Sequence, residues 1–446
     1  AYDCVDLARM IFLHVSCDFL HVFVAFFVST SALSSSFPFL SSPTPPFLLL
    51  ALPFFLSFCL TFFLPSSLSS SSPPTDAIES GCLDLAGMVR PHMADPHIVR
   101  KIMDGNADRI RPCVGAGYCL DRPYAGSDTL CIHNAATGRE QTMPHRIEPA
   151  PVQKKVVVVG GGPAGMEAAR VCAARGHKVI LFEAAERLGG QIQLAARAGW
   201  RKDMIGIADW LAAEIDRLGV TIRLGVFAQA NDVIEQQPDI VLIATGGVPN
   251  VDLPLEGGEF VDSTWDLLAG QIKPRKRVLI YDEAGGHAAT SLADWLAESG
   301  IVVELVTPDR HVGRDIGGQN YPVYLRNLYA RGVKLTPDHN LSGVRRKGDG
   351  LIATLYNEYS RKTLEREADQ VIVDQGTLPV DDLFEELSAD SSNLGEINVD
   401  ALAAGRPQPE PVNPAGDYQL FRIGDAVASR DIHAAIYDAL RLCSRT

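Results

Sequence analysis

The chain has 446 residues, a formal net charge of -14 and nine cysteines. That length allows two or three domains, each with its own core. The acidic balance argues against a broad basic face for nucleic acid, so nucleic acid is not an expected partner. Scattered cysteines exclude a small secreted disulfide framework and suit a reducing, cytoplasmic setting.

Composition splits the chain near residue 77. Residues 10 to 75 hold one charged side chain, Asp18, and are built from Phe, Leu, Ser and Pro. Such a tract reads as low-complexity sequence, spurious or disordered, and the missing initiating Met points to an artefactual or incomplete N-terminus. A membrane anchor is the second reading: Phe47 to Leu64 has the length of a span, but Pro53 and the Ser/Pro flanks weaken it. No secretory signal is expected, because Arg9 is the only basic residue at the start and the apolar region is too long.

Residues 78–110 predict a short strand, Leu83 to Ala86, followed by a turn with Gly87 and Arg90 that could grip a phosphate. His92 and Asp95 invite an acid/base reading, against which a helix cap or solvent contact is the simpler assignment. Residues 111–150 form a Gly-rich loop and linker carrying Cys113, Cys119 and Cys131. Its spacing admits three uses: thiolate ligands for iron-sulfur, a redox dithiol, or zinc with His133 as a fourth ligand. A dithiol would more often show C-x-x-C, which this loop lacks.

The clearest chemistry lies in 151–270. Val156 to Val159 read as a strand buried on both faces. Gly160, Gly162 and Gly165 then supply G-x-G-x-x-G through Pro163 and Ala164, and Met166 to Ala174 continue as a helix. The first Gly permits the tight turn, the second a close pyrophosphate, and the third close helix packing, while the helix N-terminus faces the phosphates. A second strand, His177 to Phe182, ends at Glu183, placed to accept hydrogen bonds from both ribose hydroxyls. Arg201 to Leu218 predicts an amphipathic helix with Met204, Ile207, Leu211, Ile215 and Leu218 toward the core. Trp210 and Trp295 are assigned to packing.

Further strand ends, "DIVLIATGG" with Gly246 and "YQLFRIGDAV" with Gly424-Asp425, fall where ligands bind parallel sheets. Each alone could be loop punctuation. With "ERLGGQ" (Arg187, Gly190, Gln191), the pattern resembles the FAD-binding half of the two-dinucleotide-domain flavoprotein reductases. That resemblance implies a Rossmann-like α/β fold, FAD or ADP as cofactor, and an Asp425 that approaches the ribityl and pyrophosphate portion.

Residues 271–368 repeat strand, turn, helix and strand, but the turn reads Tyr281-Asp282-Glu283-Ala284-Gly285-Gly286. A carboxylate stands where pyrophosphate needs backbone donors, so a degenerate NAD(P)-type domain is expected, kept for packing. Residues 369–446 complete the first nucleotide domain.

From about residue 78 the order resembles the trimethylamine dehydrogenase and 2,4-dienoyl-CoA reductase family. "CIHNAATGRE" and "GDAVASRDIHAAIYDALRLC" look most like its N-methylproline demethylase-like branch. The family joins an FMN-containing (β/α)8 barrel of old yellow enzyme type to an iron-sulfur loop and a nucleotide region. The resemblance implies that only the last strand and helix of the barrel are present, with Gly87 and Arg90 from the FMN phosphate grip. It maps Cys113, Cys119 and Cys131 to the first, third and fourth cluster ligands, with Ala116 in the second place. Three functions are weighed, the first two implied by the resemblance and the third by the residues present. The first is an oxidoreductase portion passing electrons from a small-molecule substrate to an electron-transferring flavoprotein. The second is an NAD(P)H-dependent dienoyl-CoA-reductase-like enzyme, and the third a non-catalytic FAD- or ADP-binding module. No catalytic residue is assigned.

Overall fold

The computed structural model describes residues 78–81, 84–85, 87–409 and 412–446. The tract 1–77 with its candidate span lies outside the described residues, as do Leu83 and Ala86 of the expected barrel strand. Asp84 and Leu85 are described and belong to no strand, so the expected last barrel strand is not found among the described elements. No helix among the described residues is long and apolar enough to cross a membrane.

The chain divides into two units, Ala1–His92 and Met93–Thr446. At the end of the first begins helix α1 (Val89–Ala94), followed in the second by α2 (Ile98–Met103) and α3 (Tyr118–Tyr124). Asp95 caps this region, accepting hydrogen bonds from the backbone N–H groups of His97 (3.0 Å) and Arg111 (2.8 Å) and pairing with Lys101. Its role is structural, as the capping assignment anticipates.

The larger unit rests on two parallel five-stranded sheets. The first takes β1 (Lys155–Val159), β2 (Lys178–Phe182), β3 (Thr221–Arg223), β4 (Ile240–Ile243) and, from the chain's end, Gln419–Arg422. Its strand order is Gln419–Arg422, β4, β1, β2, β3, which places β1 at the centre. Val156, Val157 and Val158 are wholly buried and Val159 nearly so, as a strand covered on both faces requires. Val156 and Val158 face α4 (Pro163–Ala174), α5 (Ile205–Arg217) and the terminal helix Ile432–Cys443, while Val157 and Val159 face a second cluster with Phe384, Leu387 and Tyr418. Each such valine contributes about 1.5–3 kcal/mol of burial.

Helix α5 differs from expectation in its first turn, which is a 3-10 segment, Gly199–Met204. Met204, Ile207, Leu211 and Ile215 are buried as expected, Leu218 is half-buried, and Trp210 packs inside, donating its Nε1–H to the Arg109 carbonyl at 3.0 Å.

The second sheet contains β5 (Val261–Ser263), β6 (Arg277–Asp282), β7 (Val302–Val306), β8 (Lys334–Thr336) and, beyond an antiparallel meander, β12 (Gln370–Asp374). The meander is β9 (Asn340–Lys347), β10 (Gly350–Asn357) and β11 (Lys362–Ala368). The order is β5-β12-β6-β7-β8. The expected borders at 271 and 368 are therefore too narrow: β5 and β12 pair in parallel with each other, and β12 with β6, so this sheet draws strands from both flanks. Parallel neighbours lie far apart in sequence, and a three-residue strand leaves little trace in composition. We number the closing strand Gln419–Arg422 β13; α6 (His287–Glu298), α7 (Tyr321–Ala330) and α8 (Ile432–Cys443) complete the description of this unit's main helices.

Candidate nucleotide site

The turn between β1 and α4 is shaped by contacts that admit only glycine. Gly160 has φ +110°, and a Cβ on it would lie 2.2 Å from the Ala244 carbonyl oxygen at the end of β4. A Cβ on Gly165 would lie 1.8 Å from the Gly160 oxygen. Both positions bring backbone against backbone, so neither clash can be relieved by a side-chain rotation. Gly162 caps the twelve-residue α4, and the space a Cβ would enter there is open. Pro163 follows at the first helical position, where its missing N–H costs no hydrogen bond. The first N–H groups of α4 and the positive end of its dipole face that open space, the arrangement that receives a phosphate.

Two further loops close on the same turn. A Cβ on Gly190 would sit 3.1 Å from the Cα of Gly162, and one on Gly424 (φ +64°) would meet Ala164 Cβ at 2.8 Å. Gly189 N–H donates to the Gly161 carbonyl at 2.9 Å. Gln191 Nε2 donates to Asp425 Oδ2 at 3.0 Å, and Arg430 N–H reaches Oδ1 at 3.2 Å. Burial pushes the Asp425 carboxyl above its ordinary pKa, against the lowering effect of those two donors. Glu183, half-buried at the end of β2, accepts from Gly161 N–H at 2.6 Å and from Ala185 N–H at 2.7 Å. Gly160, Gly162, Pro163, Ala164, Gly165, Glu183, Gly190, Gln191 and Asp425 are thus brought together. Arg187 is exposed on the same loop, and Gly246 lies past β4 with its carbonyl accepting from Val380 N–H at 3.1 Å. Gly161 is a close-approach glycine that the motif reading did not single out, and Gly424, named there as a strand-end turn, is another. The run of three glycines and the Gly-Asp pair were their only sequence signals.

Cys113, Cys119 and Cys131 are half-buried and lie within the described residues, among which no group of three or more His, Cys, Asp or Glu side chains is placed to hold a metal ion. Cys113 and Cys131 are free thiols. Burial pushes the Cys131 thiol pKa above its ordinary value. Cys119 is carried on α3, and the Ala116 carbonyl is held by Asn320 Nδ2 at 2.8 Å, which fixes the loop from the other side. His133 is buried edge-on against Trp210, with ring centroids 5.1 Å apart.

Of the expected FMN grip, Gly87 is exposed and Arg90 half-buried on α1, with no strand ahead of them among the described residues.

The pyridine nucleotide-disulphide oxidoreductase family model matches residues 154–438, the stretch that builds both sheets and the glycine turn. The chain belongs to that family. It is 50% identical over 366 residues to a probable N-methylproline demethylase of Rhizobium meliloti, covering 82% of this chain and 54% of the relative. It is 48% identical over 379 residues to an N,N-dimethylglycine/sarcosine dehydrogenase of Chromohalobacter salexigens, covering 82% and 55%. Among solved structures it is similar to histamine dehydrogenase from Rhizobium sp. 4-9, with a TM-score of 0.71, 25% identity, and 84% of this chain matched to 56% of that one. The chain spans about half the length of the curated relatives it matches.

Proposed function

We propose that the chain is the nucleotide-binding portion of a flavin-dependent oxidoreductase of N-methylated amines, with FAD or ADP held on the Gly160–Gly165 turn. The observation that carries this reading is the convergence of Gly160, Gly162, Gly190 and Asp425 on the N-terminus of α4. The amine class comes from the printed activities of the demethylase and dehydrogenase relatives.

The residues have distinct tasks in this reading. The N–H groups after Gly162 and the dipole of α4 would bind the pyrophosphate. Glu183 would release Gly161 and accept the ribose hydroxyls, and its charge would disfavour a 2'-phosphate. Gln191 holds Asp425 in place, so that the carboxylate would face the sugar and phosphate portion. A bound flavin would supply the capacity to take up electrons from substrate and release them singly. The proposed acceptor is an electron-transferring flavoprotein, and no step is routed through the cysteine loop.

The test is to heat-denature the purified full chain and separate the released nucleotide by chromatography. About one FAD or ADP per chain is expected. Chain that releases neither, and takes up neither on incubation, refutes the reading.

A further inference from the structure

The second sheet repeats the strand, turn and helix of the nucleotide site, and the fate of its turn donors can be followed one by one. Val159 of β1 stands opposite Phe182 and Ile243, and Tyr281 of β6 stands opposite Val306 and Val373. In this register Asp282 occupies the place of Gly160, and Asp374 that of Ala244. A Cβ cannot enter the first position, yet a whole carboxylate is housed in the second because the turn is longer. The helix cap follows Gly160 by two residues, at Gly162, and Asp282 by four, at Gly286. Three residues after each cap, Gly165 is replaced by Ala289.

The longer turn folds onto the two aspartates. Gly285 N–H donates to Asp282 Oδ1 at 2.8 Å. Glu283 and Ala284 N–H groups both donate to the Asp374 carbonyl, at 2.9 and 3.1 Å. Ala289 N–H, in the first turn of α6, donates to Asp374 Oδ2 at 3.1 Å, and Gly376 N–H reaches Oδ1 at 3.3 Å. Gly286 provides no side-chain cap, so Asp374 does so from a neighbouring strand. From above, Asp315 N–H donates to the Gly285 carbonyl at 2.9 Å, and Arg314 pairs with Asp309 and Asp315 beside the turn. Both aspartates are buried.

We propose that Asp282 and Asp374 are internal substitutes for the pyrophosphate of a dinucleotide, so that the second Rossmann-type unit is plugged by its own carboxylates and takes no NADH or NADPH. Gly285 and Ala289 N–H are spent on the two carboxyl groups, and Glu283 and Ala284 N–H on the Asp374 carbonyl, so these donors are not open to phosphate oxygens, and an entering pyrophosphate would meet the charge of the pair. Burial and the neighbouring Asp374 push the Asp282 carboxyl up to about 7, which lets the pair carry a single charge near neutral pH. The plug concerns a different turn from the site of the proposed function and does not depend on it.

The test is residue-resolved amide hydrogen exchange on the full chain, using the second unit's own amides as reporters. Asp282→Ala is expected to speed exchange at Gly285 at least tenfold. Asp282→Asn, which retains an acceptor oxygen and guards against misfolding of the first variant, is expected to keep Gly285 within threefold of wild type. Millimolar NADH or NADPH added to wild type is expected to leave Gly285 and Ala289 unchanged. Equal protection of Gly285 in wild type and Asp282→Ala, or added protection from either dinucleotide, overturns the proposal. Since these amides lie away from the Gly160 turn, failure of the proposed FAD or ADP site would leave this result intact.

Discussion

Replacing Asp282 with Asn should change how stability depends on pH, and both sign and size follow from the site. The carboxyl is fully buried, and its Oδ2 has no hydrogen-bond partner. Burial is the largest cause of its raised pKa, followed by the charge of Asp374 across the β6-β12 pair; Asp309 adds to it and Arg314 opposes it. The Gly285 N–H on Oδ1 also lowers it. A rise from 3.8 to about 7 is roughly three units, or up to about 4 kcal/mol of linkage at about 1.4 kcal/mol per unit. The folded state binds this proton more tightly than the unfolded state. The contribution is therefore fully present below about pH 4 and is lost as pH rises through about 7. Asparagine has no proton to lose and still offers an oxygen to Gly285. Urea unfolding followed by circular dichroism from pH 4 to 8 should show wild type losing several kcal/mol relative to Asp282→Asn. Asp374, whose pKa is also raised by burial, leaves a slope of the same sign in the variant. Parallel profiles for the two proteins would refute the reasoning.

Other outcomes follow from the nucleotide turn and the cysteine loop. Gly160→Ala sets a Cβ 2.2 Å from the Ala244 oxygen at φ +110°, so it should abolish FAD or ADP retention and lower the melting temperature by several degrees, read by chromatography and calorimetry. Gln191→Ala frees Asp425 Oδ2 and should weaken nucleotide binding about tenfold, roughly the 1.5 kcal/mol of a hydrogen bond to a charged group, with little change in melting temperature. Cys131→Ser should leave bound nucleotide unchanged, because Cys131 lies outside the Gly160–Gly165 turn; loss of nucleotide from the variant would contradict this.

The first nucleotide site was legible because sterics tie sequence to geometry there. Four consecutive valines demand two covered faces, and Gly160 and Gly165 stand where a Cβ would strike backbone oxygen. Glu183 follows at the end of the next strand. The departure of the second turn from the first was legible too, since Asp282 stands at the strand end where the first turn has Gly160. Sheet membership was less so: Val261–Ser263 and Gln370–Asp374 pair across more than one hundred intervening residues, and nothing local records the partner. The cysteines mark the other limit. Their spacing matches a ligand pattern, but convergence depends on contacts such as that between Asn320 and the Ala116 carbonyl, which spacing does not encode.

The most direct test of the account titrates ADP into nucleotide-stripped full chain by isothermal calorimetry, comparing wild type with Glu183→Ala. Binding of one ADP per wild-type chain is predicted, weakened about tenfold to one hundredfold in the variant, as expected for losing about 1.5–3 kcal/mol of charged hydrogen bonds. Absence of ADP binding to the folded wild-type chain, or equal affinity in both proteins, would contradict the assignment of the Gly160–Gly165 turn and Glu183 as the nucleotide site.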